Sequence, residues 1–279
     1  MLYMPGSIAR ALDKGRGLDA DALILDLEDA VAPDAKQTAR EQVVAAVKEG
    51  GYGHREILVR SNGLNTPWGY DDLVAAATSG ADAVLLPKVD SADMVRQAES
   101  IIDSAGAPES MTIWGMMETP RGMLRAEEIA DASPRLGGFV MGTSDLTKDL
   151  HAQHTAMRLP MITSLGLCLL AARAAGIAIL DGVYLDLSDA DGFTASCVQG
   201  AELGFDGKTL IHPKQLASAN EAFAPSEDEV AFSRKIIEAH AAAESEGKGV
   251  LVVDGKLIEN LHVENAKRLV ALAEAITAR

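Results

Sequence analysis

Aromatic residues make up only 4% of this 279-residue chain, and there are just two cysteines. Cys168 and Cys197 sit inside apolar stretches with no CxxC spacing. A disulfide framework and a zinc–cysteine site are therefore poorly supported, and a reducing compartment fits. No segment approaches the roughly 18–20 apolar residues of a membrane span. The opening Met1–Gly6 lacks the basic leader and apolar run of a signal peptide, so the expected location is the cytoplasm. Positive charge is in deficit: 25 Lys and Arg face 41 Asp and Glu, for a net −16. Nucleic acid and an anionic membrane would be repelled, and neither is expected as a partner. There is no Gly-rich dinucleotide fingerprint after the first strand-like run, no HExxH, no internal repeat and no low-complexity linker.

What the chain does have is apolar material in short runs. Hydrophobic residues are 48% and charged residues 24%, enough for a sizeable core. Strand-like runs fall at Leu2–Met4, Ala22–Leu27, Glu56–Arg60, Ala83–Pro87, Thr112–Met117, Gly138–Met141, Ala178–Tyr184 and Lys208–Ile211. They are nearly continuous rather than alternating, as in parallel strands buried on both faces. Helical spacing marks Lys36–Glu49, Ser91–Ala105 (with Ser91 as its cap), Leu165–Ala175 and Ala190–Leu203. Gly176 and Gly204 stand where helix C-terminal glycines belong.

Eight strands with intervening helices predict an α/β fold, a (β/α)8 TIM barrel over 1–224, rather than an open doubly wound sheet. The remaining 225–279 read as a C-terminal helix-hairpin-helix extension. Ser226 caps a helix running to about Glu246, and Gly247-Lys248-Gly249 breaks it. Val250–Val253 and Lys256–Ile258 pair through Asp254-Gly255, a type I′ turn signal, and Val263–Thr277 form a last helix.

In a barrel of this kind chemistry gathers at the C-terminal ends of the strands. Those ends carry Asp26-Leu27-Glu28-Asp29, Arg60-Ser61-Asn62, Pro87-Lys88, Glu118-Thr119-Pro120-Arg121, Thr143-Ser144-Asp145, Asp181 with Asp186, and His212-Pro213. Singly, each has a bland reading: Asp29 and Asp145 as helix caps, Lys88 on the surface, His212 bonded to backbone. Together they form a charged rim. The carboxylates of the rim alone suit a hard cation such as Mg2+. An arginine beside it suits a planar oxo acid and the charge that develops on an enolate.

These residues also carry a resemblance. The segments Tyr3–Ser7, Leu25–Pro33 followed by Lys36 and Arg40, Val59–Asn62 with Leu64–Pro67, Leu86–Val89, Met117–Pro120, Gly204–Lys208, Ile211–Gln215 and Phe223–Ser226 occur in order nearly end to end. The chain resembles the citrate lyase beta-subunit-like, HpcH/HpaI aldolase family, which includes malyl-CoA lyases, citramalyl-CoA lyases and malyl-CoA thioesterases. The resemblance implies a homotrimer or hexamer and a CoA thioester substrate. It implies Mg2+, with Mn2+ as the alternative, on Glu118 and Asp145, with Glu28 and Asp29 near the metal. Arg60 matches the catalytic arginine, and Tyr3, Lys14 and Arg10 the CoA contacts, with Lys88 as a further basic neighbour.

Two positions depart from the family pattern. Ile8 replaces the usual arginine after the Pro-Gly-Ser turn, which leaves Arg10 to take that contact. Glu259 stands where relatives carry a catalytic aspartate, adding one C–C bond of about 1.5 Å. The loop between Lys148 and Pro160 is also short for a lyase. The expected reaction is Mg-dependent carbon–carbon cleavage of a 3-hydroxy-carboxyacyl-CoA such as malyl-CoA, with Glu259 supplied by a neighbouring subunit. Hydrolysis of the thioester is the alternative, and a citrate lyase beta-type subunit needing a carrier partner is the third reading.

Overall fold

The computed structural model describes residues 1–245 and 251–279. Eight strands are laid down in order: β1 Leu2–Pro5, β2 Ala22–Asp26, β3 Glu56–Arg60, β4 Ala83–Leu86, β5 Thr112–Met117, β6 Leu136–Met141, β7 Ala178–Asp181 and β8 Gly207–Lys208. They form one parallel sheet in chain order. Its two edges meet. Leu2 and Leu210 form a parallel bridge, with Tyr3 N–H donating to Leu210 O and Leu210 N–H to Met1 O, each at 2.9 Å. The sheet therefore curls round on itself, which is barrel-like.

Helices fill the connections: α1 Ala9–Gly15, α2 Lys36–Glu49, α3 Gly69–Ala77, α4 Ala92–Ser104, α5 Pro120–Leu124, α6 Ala126–Ala130, α7 Thr143–Asp149, α8 Ile162–Ala175, α9 Ala190–Leu203 and α10 Leu216–Phe223. Among the described residues, no helix is long and apolar enough to cross a membrane.

Alternation along each strand decides what faces inward. Ala22, Ile24, Leu58, Ala83, Leu85, Trp114, Met116, Val140 and Leu180 form one interior cluster. Each large member contributes about 1.5–3 kcal/mol of burial. The residues between them, such as Leu23, Leu25, Val59 and Val84, are buried under the helices. The same alternation carried one step further brings Asp26, Arg60 and Glu118 above that cluster.

Several expectations shift. β6 begins at Leu136, two residues before the expected Gly138, and β8 is Gly207–Lys208 rather than Lys208–Ile211. A Cβ on Gly138 would collide with the Trp114 indole, so the ring and the glycine are a matched pair. β7 stops at Asp181, short of Tyr184. Gly182 there lies so close to Thr143 and the Met141 carbonyl that a side chain would not fit. Ser91 precedes α4 but makes no side-chain cap bond. Gly176 and Gly204 do end their helices in the left-handed region, at φ 71° and 99°.

Asp181 is the centre of a buried ionic group below the strand ends. It is fully buried and accepts from Lys208 Nζ at 2.8 Å and from Arg158 Nη1 at 2.6 and 2.7 Å. Arg158 lies in the segment after α7 and also donates to Gln199 at 2.7 Å, so this pairing pins that segment to β7 and α9.

The chain divides into two compact units, Met1–Ala222 and Phe223–Arg279. The second contains α11 Glu227–Ser245, an antiparallel pair of β9 Leu251–Val253 and β10 Lys256–Ile258, and α12 Asn260–Thr277. Ser226 and Glu229 exchange capping bonds at the start of α11. Asp254 and Gly255 both take positive φ, 47° and 79°, as a type I′ turn demands. Ile236, Val253, Ile258, Val263 and Ala266 make this unit's own core. The expected helix end at Glu246, the break at Gly247–Gly249 and Val250 of the hairpin lie outside the described residues.

Replacing Asp181 by Ala leaves Lys208 and Arg158 without their carboxylate. Urea unfolding should show a loss of about 3–5 kcal/mol, the usual cost of stranding a buried charge. A change below about 1 kcal/mol would mean that the group contributes no more than a surface pair.

Candidate active site

Sheet register creates the first contact. Asp26 and Arg60 are paired across β2 and β3, and both side chains point inward. Arg60 Nε donates to Asp26 Oδ1 at 2.7 Å and Nη2 to Oδ2 at 2.6 Å, a two-pronged pair with both side chains buried. Asp26 also accepts the amides of Glu28 (2.8 Å) and Ala30 (3.3 Å), which shapes the turn leaving β2. Burial opposes the Arg60 charge, but the bonds and field of Asp26 outweigh it and hold the guanidinium above its ordinary range. The third nitrogen, Nη1, lies 2.9 Å from Glu28, 3.7 Å from Asp29 and 3.5 Å from the Met116 sulfur. The Tyr3 ring stacks 5.0 Å from the guanidinium carbon.

Glu118 follows β5 and is 2% exposed. Its Oε1 accepts the Lys88 amide at 2.7 Å. Its Oε2 lies against Gly142, where a Cβ would overlap it. Among the described residues no Lys, Arg or His nitrogen reaches ion-pair distance of it. Burial therefore pushes its carboxyl up to about 7, against the pull of Lys88 and its amide. Asp145 sits in the first turn of α7. It accepts from Lys148 at 2.9 Å and lies 3.7 Å from Lys88 Nζ. Partial burial raises its carboxyl, but the Lys148 bond and Lys88 outweigh that and leave it below the usual range.

These side chains line one cavity of about 410 Å3. Tyr3, Asp26, Asp29, Arg60, Glu118 and Asp145 give it polar lining, and Ala30, Met116, Met141, Val183, Leu185 and Ile211 apolar lining. The model of the HpcH/HpaI aldolase/citrate lyase family matches residues 1–213. The chain belongs to that family. It is 51% identical over 278 residues to a (3S)-malyl-CoA thioesterase of Cereibacter sphaeroides, covering 100% of this chain and 95% of the relative. It is 37% identical to the citrate lyase subunit beta of Escherichia coli, covering 98% of this chain and 92% of that one. Among solved structures it is similar to CitE of Mycobacterium tuberculosis in complex with magnesium, acetoacetate and coenzyme A. That likeness has a TM-score of 0.78 and 29% identity, over 98% of this chain and 97% of the other.

The donor set fits the divalent metal that this family implies. Glu118 is a buried carboxylate with no ion pair, and Asp145 is a second carboxylate on the same cavity. Among the described residues no three His, Cys, Asp or Glu side chains converge on one point. Magnesium takes one or two carboxylates and completes its shell with water or substrate oxygens, so two suffice.

The expected residues separate into groups. Arg60, Glu118, Asp145, Asp29 and Tyr3 share the cavity, with Glu28 against Arg60 and Lys88. Tyr3 lies deep, its hydroxyl 3.7 Å from the Met116 sulfur. Arg10 and Lys14 are exposed on α1 and do not line the cavity. Lys88 is spent on Glu28, Asp29 and Asp145. Glu259 belongs to the second unit. It caps α12, where Glu259 N–H donates to His262 Nδ1 at 3.0 Å.

Motif residues Lys36, Arg40 and Asn62 brace the loops. Lys36 donates to the Leu27 and Glu28 carbonyls, Asn62 to Leu27 O and Asp72, and Arg40 to Asp72 at 2.6 Å. His212 bonds backbone, accepting from Lys214 N–H at 3.1 Å. Cys168 and Cys197 are buried, their thiols pushed up by that burial to about 12 and 11. The sequence reading gave Asp26 no role. A partial signal was present, since Asp26 and Glu28 share strand parity; the pairing with Arg60 comes from the sheet register.

The raised Glu118 carboxyl sets a pH dependence. The folded chain keeps that proton between pH 4.5 and 7 while the unfolded chain releases it, so stability falls as pH rises through this window. In EDTA, chemical unfolding from pH 5 to 8 should show a decline that Glu118→Gln reduces by on the order of 2–3 kcal/mol. Equal slopes for the two proteins would contradict the buried, unpaired carboxylate.

Proposed function

We propose that this chain hydrolyses a (3S)-malyl-CoA-type thioester to malate and CoA in a metal-dependent reaction. The observation that supports this over the cleavage expected from the sequence is the 51% identity, over 100% of this chain, to a protein named for that hydrolysis. Glu118 and Asp145 hold the metal, magnesium or, in its place, manganese, which when bound supplies a Lewis acid toward the malyl oxygens. Arg60, immobilised by Asp26, presents a fixed cation to a substrate carboxylate or to the oxygen that gains charge. Glu28 and Asp29 hold the remaining face of Arg60. Ala30, Val183, Leu185 and Ile211 offer an apolar wall for the acyl and pantetheine chain. Tyr3 forms the floor beside Arg60, and Lys14 and Arg10 on α1 attract CoA phosphates from outside the cavity.

Glu259, delivered by the second unit of another copy in a trimer or hexamer, takes a proton from water. The resulting oxygen attacks the thioester carbon, the C–S bond breaks, and sulfur leaves with a proton as the CoA thiol. Carbon–carbon cleavage is the second reading. The same fixed arginine and metal suit an enolate, and Glu259 would then protonate the enolate carbon to give acetyl-CoA beside glyoxylate. In the third reading, the beta-type subunit of a carrier-dependent lyase, free CoA thioesters are not turned over.

Product analysis with (3S)-malyl-CoA and Mg2+, beside an EDTA control, separates these. The expected result is free CoA with malate, no glyoxylate, and none of it in EDTA. Acetyl-CoA with glyoxylate would replace hydrolysis by cleavage, and inertness of the purified chain would favour the carrier-dependent subunit.

Mixing tests the delivery of Glu259. Glu259→Ala and Arg60→Ala should each lose about 10²-fold or more in turnover, the range of a general base. When mixed and allowed to exchange subunits they should regain up to roughly a quarter of wild-type rate per site in a random assembly, because a site with both native residues re-forms. No recovery after verified exchange would place Glu259 in its own chain's reaction or outside it.

A further inference from the structure

Three cations stand against the carboxylates of the site, and they are held differently: Lys148 is an exposed surface lysine bonded to Asp145 Oδ1 at 2.9 Å, whereas Arg60 and Lys88 reach the carboxylates at the strand ends. Arg60 has 7% side-chain exposure and is locked by Asp26. Lys88 has 42% side-chain exposure, so its ammonium has an open route to solvent. That ammonium is bonded to Glu28 Oε1, lies 3.7 Å from Asp145 Oδ2 and 4.0 Å from Asp29 Oδ1. The backbone of the same residue is in the left-handed region, φ 50°, which lysine seldom adopts. This turn aims the Lys88 amide at Glu118. One residue thus addresses both proposed metal carboxylates, Glu118 through its amide and Asp145 through its side chain.

The two roles have different requirements. The amide bond to Glu118 needs only the backbone, and a cation arriving at that carboxylate does not disturb it. The ammonium is another matter. It sits about 4 Å from an Asp145 oxygen that would also be a metal ligand, and a divalent ion there repels it with twice the energy of a monovalent one. Glu28 adds a second reason for the ammonium's position. Its Oε2 is buried with no directed hydrogen bond, only the off-axis approach of Arg60, so Lys88 is its main bonded partner.

We propose that the Lys88 ammonium is a built-in counter-cation that gathers Glu28, Asp29 and Asp145 in the metal-free chain and is displaced toward solvent when the metal binds. This rests on the reading of Glu118 and Asp145 as the metal carboxylates. Lys88 is then a positioning residue with a cost: it keeps the acidic rim assembled and weakens the metal affinity of that rim. The displaced ammonium is also left beside the cavity as a mobile cation.

The test is magnesium binding measured by calorimetry, with no substrate present. Lys88→Met should bind Mg2+ about tenfold more tightly than wild type, since a competing charge has gone, and Lys88→Arg should stay within about threefold of wild type. Unchanged or weaker binding by Lys88→Met would overturn the proposal. A second arm needs no variant. Acylation of the Lys88 amine in the wild-type chain, read by mass spectrometry, should rise at least about threefold in Mg2+ over EDTA as the ammonium leaves Glu28 and Asp145. Equal or lower labelling overturns the proposal while leaving the metal reading standing. Absence of saturable Mg2+ binding by the wild type overturns the metal reading, and this inference with it.

Discussion

The site depends on a register. Parallel pairing of β2 with β3 brings Asp26 level with Arg60, and strand alternation turns both side chains into the same interior. A one-residue slip would send the pair to opposite faces. Once formed, the pair is expensive to break, because either member alone would be a buried charge, at about 3–5 kcal/mol. Its two prongs use Nε and Nη2, so the direction of Nη1 follows from the sheet itself. Tyr3, Met116 and Glu28 then meet a cation whose place is already fixed.

That fixed cation does not extend to Glu118. The carboxylate is buried to a similar degree, but it has one backbone amide for company and no ion pair. An isolated buried anion raises its own pKa until it is neutral, or it acquires a cation from outside. Gly142 is the structural sign that this arrangement is built in, since any side chain there would displace Glu118. The chain as a whole is strongly acidic, and at the strand ends the cations Arg60 and Lys88 are paired with carboxylates other than Glu118. A metal fits that imbalance without requiring an acidic protein to become basic anywhere.

Much of this was legible in the sequence because strand alternation, helix ends and turn chemistry are local. Continuous apolar runs marked the strands, Gly176 and Gly204 marked helix ends, and Asp254-Gly255 marked the hairpin. What was not legible depends on pairs distant in sequence. The start of β6 at Leu136, ahead of the expected Gly138, depends on Trp114 filling the space beside Gly138. Lys88 reads as one more basic residue for a phosphorylated ligand until the carboxylates around it are in place. Lys36, Arg40 and Asn62 look like site residues by motif, but their bonds go to carbonyls and to Asp72, holding the loops that carry Glu28 and Asp29. Arg10 and Lys14 show the reverse limit. The resemblance matched them to CoA contacts, but the structure places them exposed on α1, outside the cavity lining.

The choice between hydrolysis and cleavage has a physical location. On the proposed reading, a fixed arginine and a metal held by two carboxylates would stabilise negative oxygen in either reaction, so these groups favour neither outcome. The outcomes differ in where a proton comes from and where it goes: from water toward sulfur, or from the substrate hydroxyl with another delivered to carbon. On the proposed reading the group that meets these protons is Glu259, which caps its own helix at the edge of a small unit with a separate core. A longer acid arm there alters the reach of the base and leaves the buried charges untouched. On that reading, a change at position 259 would alter the proton transfer while the register-bound Asp26–Arg60 pair stays the same.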